Sequence, residues 1–186
     1  VETGKGVVFR HQDSRNRILT LNAFDHAVRA AAYDENGSGG SVYHEVALDP
    51  NTSVHLAMCV KSGEVRLFLD GEPVGKFRRE TEHEVWPPQN ATIGGFVDAP
   101  EGLRDLHHHG EIDELHISSV ARYDVAFTPL LRHQPDQHTL ALYHFDEGEG
   151  ELLIDSSGND NHGQIIGAKW VRVDEDLNVI DRDFVT

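Results

Sequence analysis

Apolar and polar residues alternate with a period of two in short runs along the chain, and Gly, Pro, Asn or Asp interrupts them about every ten residues. Residues 64–69 show the pattern: Val65, Leu67 and Leu69 fall on one face, and Glu64, Arg66 and Phe68 on the other. Asp70-Gly71 follows and predicts a two-residue type I′ hairpin, because both central positions of that turn need positive φ. Residues 74–77 return as the partner strand, and the apolar run 54–60 enters the hairpin through Lys61-Ser62-Gly63. Further strands are expected at 18–21, 41–48, 91–95, 112–118, 140–145 and 165–171, with a loop at 34–40. Residues 24–33 read as helix or strand, and the alternation of Val28, Ala30 and Ala32 among neighbouring strands favours strand. The expected fold is therefore an all-β, antiparallel two-sheet β-sandwich.

Length fits one such domain: 186 residues can bury a core without a disulfide or a metal. We assign residues 1–173 to it and expect the acidic stretch 174–186 to be loosely held. Sixteen Lys and Arg against 32 Asp and Glu give a formal net charge of −16, which argues against general binding to nucleic acid or an anionic membrane. Such a surface suits hard cations and soluble polar partners. Cys59 is the one cysteine and has no partner for an internal disulfide. No apolar run approaches the ~20 residues of a membrane span, so membrane insertion is not expected. The chain opens at Val1 without a signal peptide, and the expectation is a piece of a longer exported protein, extracellular or periplasmic, whose signal lies upstream.

Several segments carry a family resemblance. His55-Leu56-Ala57 with residues 63–71 resembles the "HVA…G-x-x-x-LYVDG" hairpin of laminin-G-like, concanavalin A-like jelly rolls. Ala91-Thr92-Ile93-Gly94-Gly95 is similar to the "IGG" strand that follows it, and Gly110-Glu111-Ile112-Asp113-Glu114 to the "G-x-IDE" strand. Residues 142–148, 155–159 and 162–163 resemble the "W-x-FDEG…D-SSGN-x-x-x-G" segment. In most of these domains that last segment comes first. Two readings stand: a truncated second domain, or edge strands of the same sandwich in permuted order. A remnant of about 45 residues could hardly bury a core of its own, which favours permutation. The resemblance implies a non-catalytic recognition module binding a polysaccharide or other glycan. The alternative is a structural or protein–protein interaction module, since the fold hosts many functions.

Four sets of residues carry candidate chemistry. Asp155, Ser157, Asn159 and Asn161 place oxygen donors at alternate positions, a spacing that suits Ca²⁺, with Asp146 and Glu147 as further carboxylates. The competing reading is an Asx turn that needs no metal. Glu111-Ile112-Asp113 is similar to the start of the E-x-D-x-E strand of laminarinase-type glycoside hydrolases, but the positions for the last Glu hold Leu115 and His116, so no catalytic residue is assigned. His107-His108-His109 reads as a loop cluster, because three adjacent extended residues cannot all face one ion. Trp86, before Pro87-Pro88, is the candidate sugar platform; packing of its loop on the core is the competing account. Trp170 is expected in the core.

Overall fold

The computed structural model describes residues 6–49, 52–79, 91–96, 107–174 and 179–181. Every regular element among them is a β-strand, and every pairing between named strands is antiparallel. The chain forms two compact units. One comprises residues 1–50, 54–110 and 120–129, and the other 51–53, 111–119 and 130–186.

In the first unit β1 (Gly6–Gln12), β2 (Ile18–Phe24), β3 (Ala27–Tyr33), β4 (Gly39–Glu45) and β8 (Ala91–Ile93) form a sheet in the order β4-β3-β2-β1-β8. A second sheet is β5 (Leu56–Lys61), β6 (Glu64–Leu69) and β7 (Glu72–Arg78), in sequence order. Leu21, Val28, Ala30, Ala32, Val65 and Leu67 form the core between the two sheets, and Val42, Met58 and Phe77 pack against it. Register explains the selection: Leu21, Ala30 and Val42 lie side by side on β2, β3 and β4, so one face collects the apolar set. Glycine is required where the sheets meet: a Cβ on Gly75 of β7 would collide with the Val42 side chain, and one on Gly40 of β4 would lie 2.9 Å from the Phe77 ring.

The strand expected over 24–33 is β3 from Ala27 only: Phe24 ends β2, Asp25-His26 is the turn between them, and Ala30, Ala31 and Ala32 are all fully buried. Asp70 (φ 50°) and Gly71 (φ 84°) adopt the turn that the sequence requires, as do Ser62 (φ 48°) and Gly63 (φ 76°) at the preceding hairpin. Phe68, on the face of β6 away from the core, is also fully buried. It meets Tyr123 and Phe127 edge-on, and those two rings stack at 3.5 Å, which seats residues 123–127 against β6.

In the second unit β9 (Leu115–Ser118) pairs with β10 (Thr139–Tyr143), β11 (Leu152–Leu153) with β12 (Gly163–Gln164), and β13 (Arg172–Val173) with β14 (Val179–Asp181). Two expectations need correction here. The strand foreseen at 112–118 begins only at Leu115, because Glu114 at φ 49° breaks the extended backbone. The strand foreseen at 165–171 is absent: the chain bends at Gly167 (φ 76°), and residues 165–171 form no ladder.

Candidate functional site

Three polar constructions stand out. The first covers the face of the five-stranded sheet turned away from the core. Alternation puts Thr20, Asn22, Arg29, Ala31, Tyr33, Ser41 and Tyr43 on that face, and register aligns Arg10, Thr20, Ala31 and Ser41 in one row and Asn22, Arg29 and Tyr43 in the next. Ala31 is fully buried, and Ser41 on the edge strand β4 is exposed. Thr20 and Asn22 are buried, and the Thr20 hydroxyl donates to Asn22 Oδ1 at 3.0 Å. Arg29 donates to the Tyr33 hydroxyl at 2.8 Å, and Arg10 bonds the Gln12 amide while lying over the Phe96 ring, 5.0 Å from its centroid. Tyr43 stands 47% exposed at the edge. Guanidinium groups, an amide, hydroxyls and two tyrosines thus share one surface. A surface of that composition can stack a ring and hydrogen-bond its substituents.

The second construction centres on Glu114. The strained backbone at that residue turns its side chain inward, where Oε2 accepts the His133 N–H at 3.0 Å and Oε1 lies 2.7 Å from His144 Nδ1. Arg132 reaches both Glu114 (3.4 Å) and Asp146 (2.6 Å). The carboxylate of the "IDE" motif therefore ties residue 114 to two other segments of this unit. Glu111 and Asp113 lie ahead of β9 rather than on it, so they do not share one strand with the positions that follow.

The third is the loop at 155–161. Asp155 is buried; its Oδ1 accepts the N–H groups of Leu142 and Ser157, both at 2.9 Å, and its Oδ2 accepts the Ser157 hydroxyl (2.7 Å) and the Asn161 N–H (3.0 Å). Burial pushes the Asp155 carboxyl upward, but these donors together outweigh it and hold the group below its ordinary value. Asn159 Nδ2 donates to the Thr139 and Leu140 carbonyls and Asn161 Nδ2 to Leu140, which stitches the loop to β10. The Tyr143 hydroxyl donates to the Asn161 carbonyl at 2.5 Å, and burial raises its pKa to about 12. Asp155 thus gathers Ser157 and the Asn161 backbone N–H in an Asx turn, while the Asn159 and Asn161 side chains both face β10 and Asp146 is paired with Arg132. Among the described residues no three His, Cys, Asp or Glu side chains converge as a metal-holding group.

Trp86 lies outside the described residues. Trp170 differs from its expected place in a core. It is half-buried and lines a cleft of about 430 Å³ in the second unit, with Phe145, Asp146, Glu147, Glu149 and Arg172. Its indole N–H donates to the Gly150 carbonyl at 3.0 Å, which fixes the ring. Only the bend at Gly167 signals this in the sequence, since a Gly within an apolar run marks an interrupted strand. Cys59 is buried, and burial pushes its thiol upward, which leaves it a small core residue.

Among solved structures the chain is similar to a candidate carbohydrate-binding protein from Bacteroides ovatus ATCC 8483, at 17% identity and a TM-score of 0.66. That match covers 85% of this chain and 46% of the other, so the chain spans under half of that protein's length. A weaker likeness is to an S-layer domain-containing protein (residues 221–444) from Clostridium thermocellum ATCC 27405, at 20% identity and a TM-score of 0.32, covering 68% of this chain and 60% of that one. Comparison with curated proteins gives no match. The antiparallel all-β architecture is consistent with the family model that matches residues 1–124: the chain belongs to the concanavalin A-like lectin/glucanases superfamily.

Proposed function

We propose that this chain is a non-catalytic carbohydrate-recognition module of a larger protein, acting outside the cytoplasm on a polysaccharide or other glycan. The observation that carries this reading is the outer face of the five-stranded sheet, where the exposed Ser41 and Tyr43 lie beside the half-buried Arg29 and Tyr33. The fold shared with a candidate carbohydrate-binding protein supports the same ligand class. The engagement of Glu114, next to the hydrolase-like Glu111-Ile112-Asp113, in bonds to His133, His144 and Arg132 supports a structural role for that carboxylate. A glycan array probed with the full chain, with and without Ca²⁺, tests the proposal. The expected result is a saturable glycan signal that Tyr43→Ala removes without changing the melting temperature. Absence of any glycan signal, or a signal that Tyr43→Ala and Arg29→Ala both leave unchanged, would overturn it.

A protein-docking module is the second reading, favoured by large aliphatic side chains exposed on the second unit, among them Leu131 at 88% and Ile166 at 68%. Binding to a protein partner that glycans do not compete would favour it.

A further inference from the structure

We propose that the Trp170 cleft is a separate binding site, and that it takes a protonated amino sugar rather than a neutral one. The inference rests on the glycan-recognition reading for its ligand class, but on different residues. Among the described residues lining the cleft, Asp146, Glu147 and Glu149 carry carboxylates, and Arg172 is the one cation. Arg132 already pairs with Asp146 at 2.6 Å, and Glu147 and Glu149 together outnumber Arg172 in the lining, so the local sign is negative. Glu147 is held in the wall: its Oε1 accepts the Ile154 N–H at 2.8 Å, while its Oε2 is buried without a hydrogen-bond donor. That oxygen is closed to solvent, so Glu147 acts on a ligand in the cleft through its negative charge rather than by direct contact, and a cationic ligand gains most from it.

The aromatic wall points the same way. The Trp170 N–H is spent on Gly150, so the ring offers a ligand its π-face rather than a donor. Trp is the aromatic that attracts a cation most strongly, and it also stacks on a pyranose ring. Ring stacking together with an ammonium beside a carboxylate describes a hexosamine bearing a free amine. The overall charge of −16 would draw such a cation toward the chain at low ionic strength.

Tryptophan fluorescence reads this site directly, because the chain has two tryptophans and Trp86→Phe leaves Trp170 as the reporter. The Trp86→Phe chain is titrated with a glucosamine tetramer, its N-acetylated counterpart and tetralysine. The expected result is a saturable change in emission with the glucosamine tetramer, at least tenfold tighter than with either of the others. It should weaken by severalfold between 50 mM and 500 mM salt and by tenfold in Glu147→Gln, which retains an acceptor for Ile154 and conserves shape. Equal affinity for the N-acetylated tetramer would make the cleft a neutral-sugar platform and overturn the proposal. Equal or tighter binding of tetralysine would overturn the sugar. No change in emission at millimolar ligand would overturn the site itself. Loss of the Trp170 response while the array signal persists in the Tyr43-bearing chain would remove this inference alone; loss of the array signal with the Trp170 response intact would remove the sheet-face reading alone.

Discussion

In the first unit the strand Glu64–Leu69 withdraws Val65, Leu67 and Phe68 completely from solvent, two onto the core and one onto Tyr123 and Phe127. In the second, the strand Leu152–Leu153 buries Leu153 and leaves Leu152 at 54% exposure, and Ile154 beside it is 43% exposed. Among the described residues of that unit the buried apolar ones are Ala141, Leu142, Tyr143 and Leu153. Order comes instead from polar groups, above all Asp155 with its four donors and Glu114 with His133, His144 and Arg132. Apolar burial is non-directional and tolerates local rearrangement. A hydrogen-bonded hub fails once its central carboxylate is removed or protonated. The two units should therefore break in different ways.

The largest effect is expected in the first unit. Leu67→Ala leaves a cavity at a fully buried site and should cost about 2–5 kcal/mol, read as a lower melting temperature with little dependence on pH between 3 and 7. A loss below 1 kcal/mol would mean that the sheets close the gap, and the contrast would weaken. Next comes Asp155→Ala, which orphans the N–H groups of Leu142, Ser157 and Asn161 and should cost on the order of 3 kcal/mol. Because the donors come from the protein, this loss should be equal in EDTA and in millimolar Ca²⁺. If Ca²⁺ instead raises melting of the native chain by about 5–10 °C and Asp155→Ala erases that increment, the calcium reading of Asp155, Ser157, Asn159 and Asn161 stands.

Acid sharpens the comparison. The folded Asp155 carboxyl lies below its ordinary value, so its stabilisation is complete above the ordinary carboxylate range and is lost as pH falls through the lowered value. Hydrogen exchange of the Leu142 and Asn161 amides should therefore accelerate below about pH 4 before the amides of Glu64–Leu69 respond. Simultaneous loss would show that the polar unit has no separate weakness. Gly71→Ala is expected to cost about 2 kcal/mol, because φ is 84° and a Cβ there would collide with the Phe127 carbonyl, which lies beside the hairpin. The smallest effect is expected for Asp124→Asn: its pairs with Lys61 (2.9 Å) and Arg66 (3.2 Å) are exposed, and the melting temperature should stay within error.

Local rules settled much of the first unit in advance. Asp70-Gly71 and Ser62-Gly63 admit few backbone conformations, and alternation then decides which side chains of β6 face the core. The run of alanines at 30–32 was ambiguous until neighbouring strands supplied a sheet to join, since short apolar runs fit either period. What the sequence determined by itself, then, was the hairpins, the strand faces and the acidic charge, all products of interactions a few residues apart. The tertiary structure decided that Glu114 turns inward, that Asp155 is capped by donors from β10 as well as from its own loop, and that Trp170 lines a cleft instead of a core. These depend on which distant segments supply partners, such as Leu142 to Asp155 and His144 to Glu114, and no periodicity within a single strand encodes that choice.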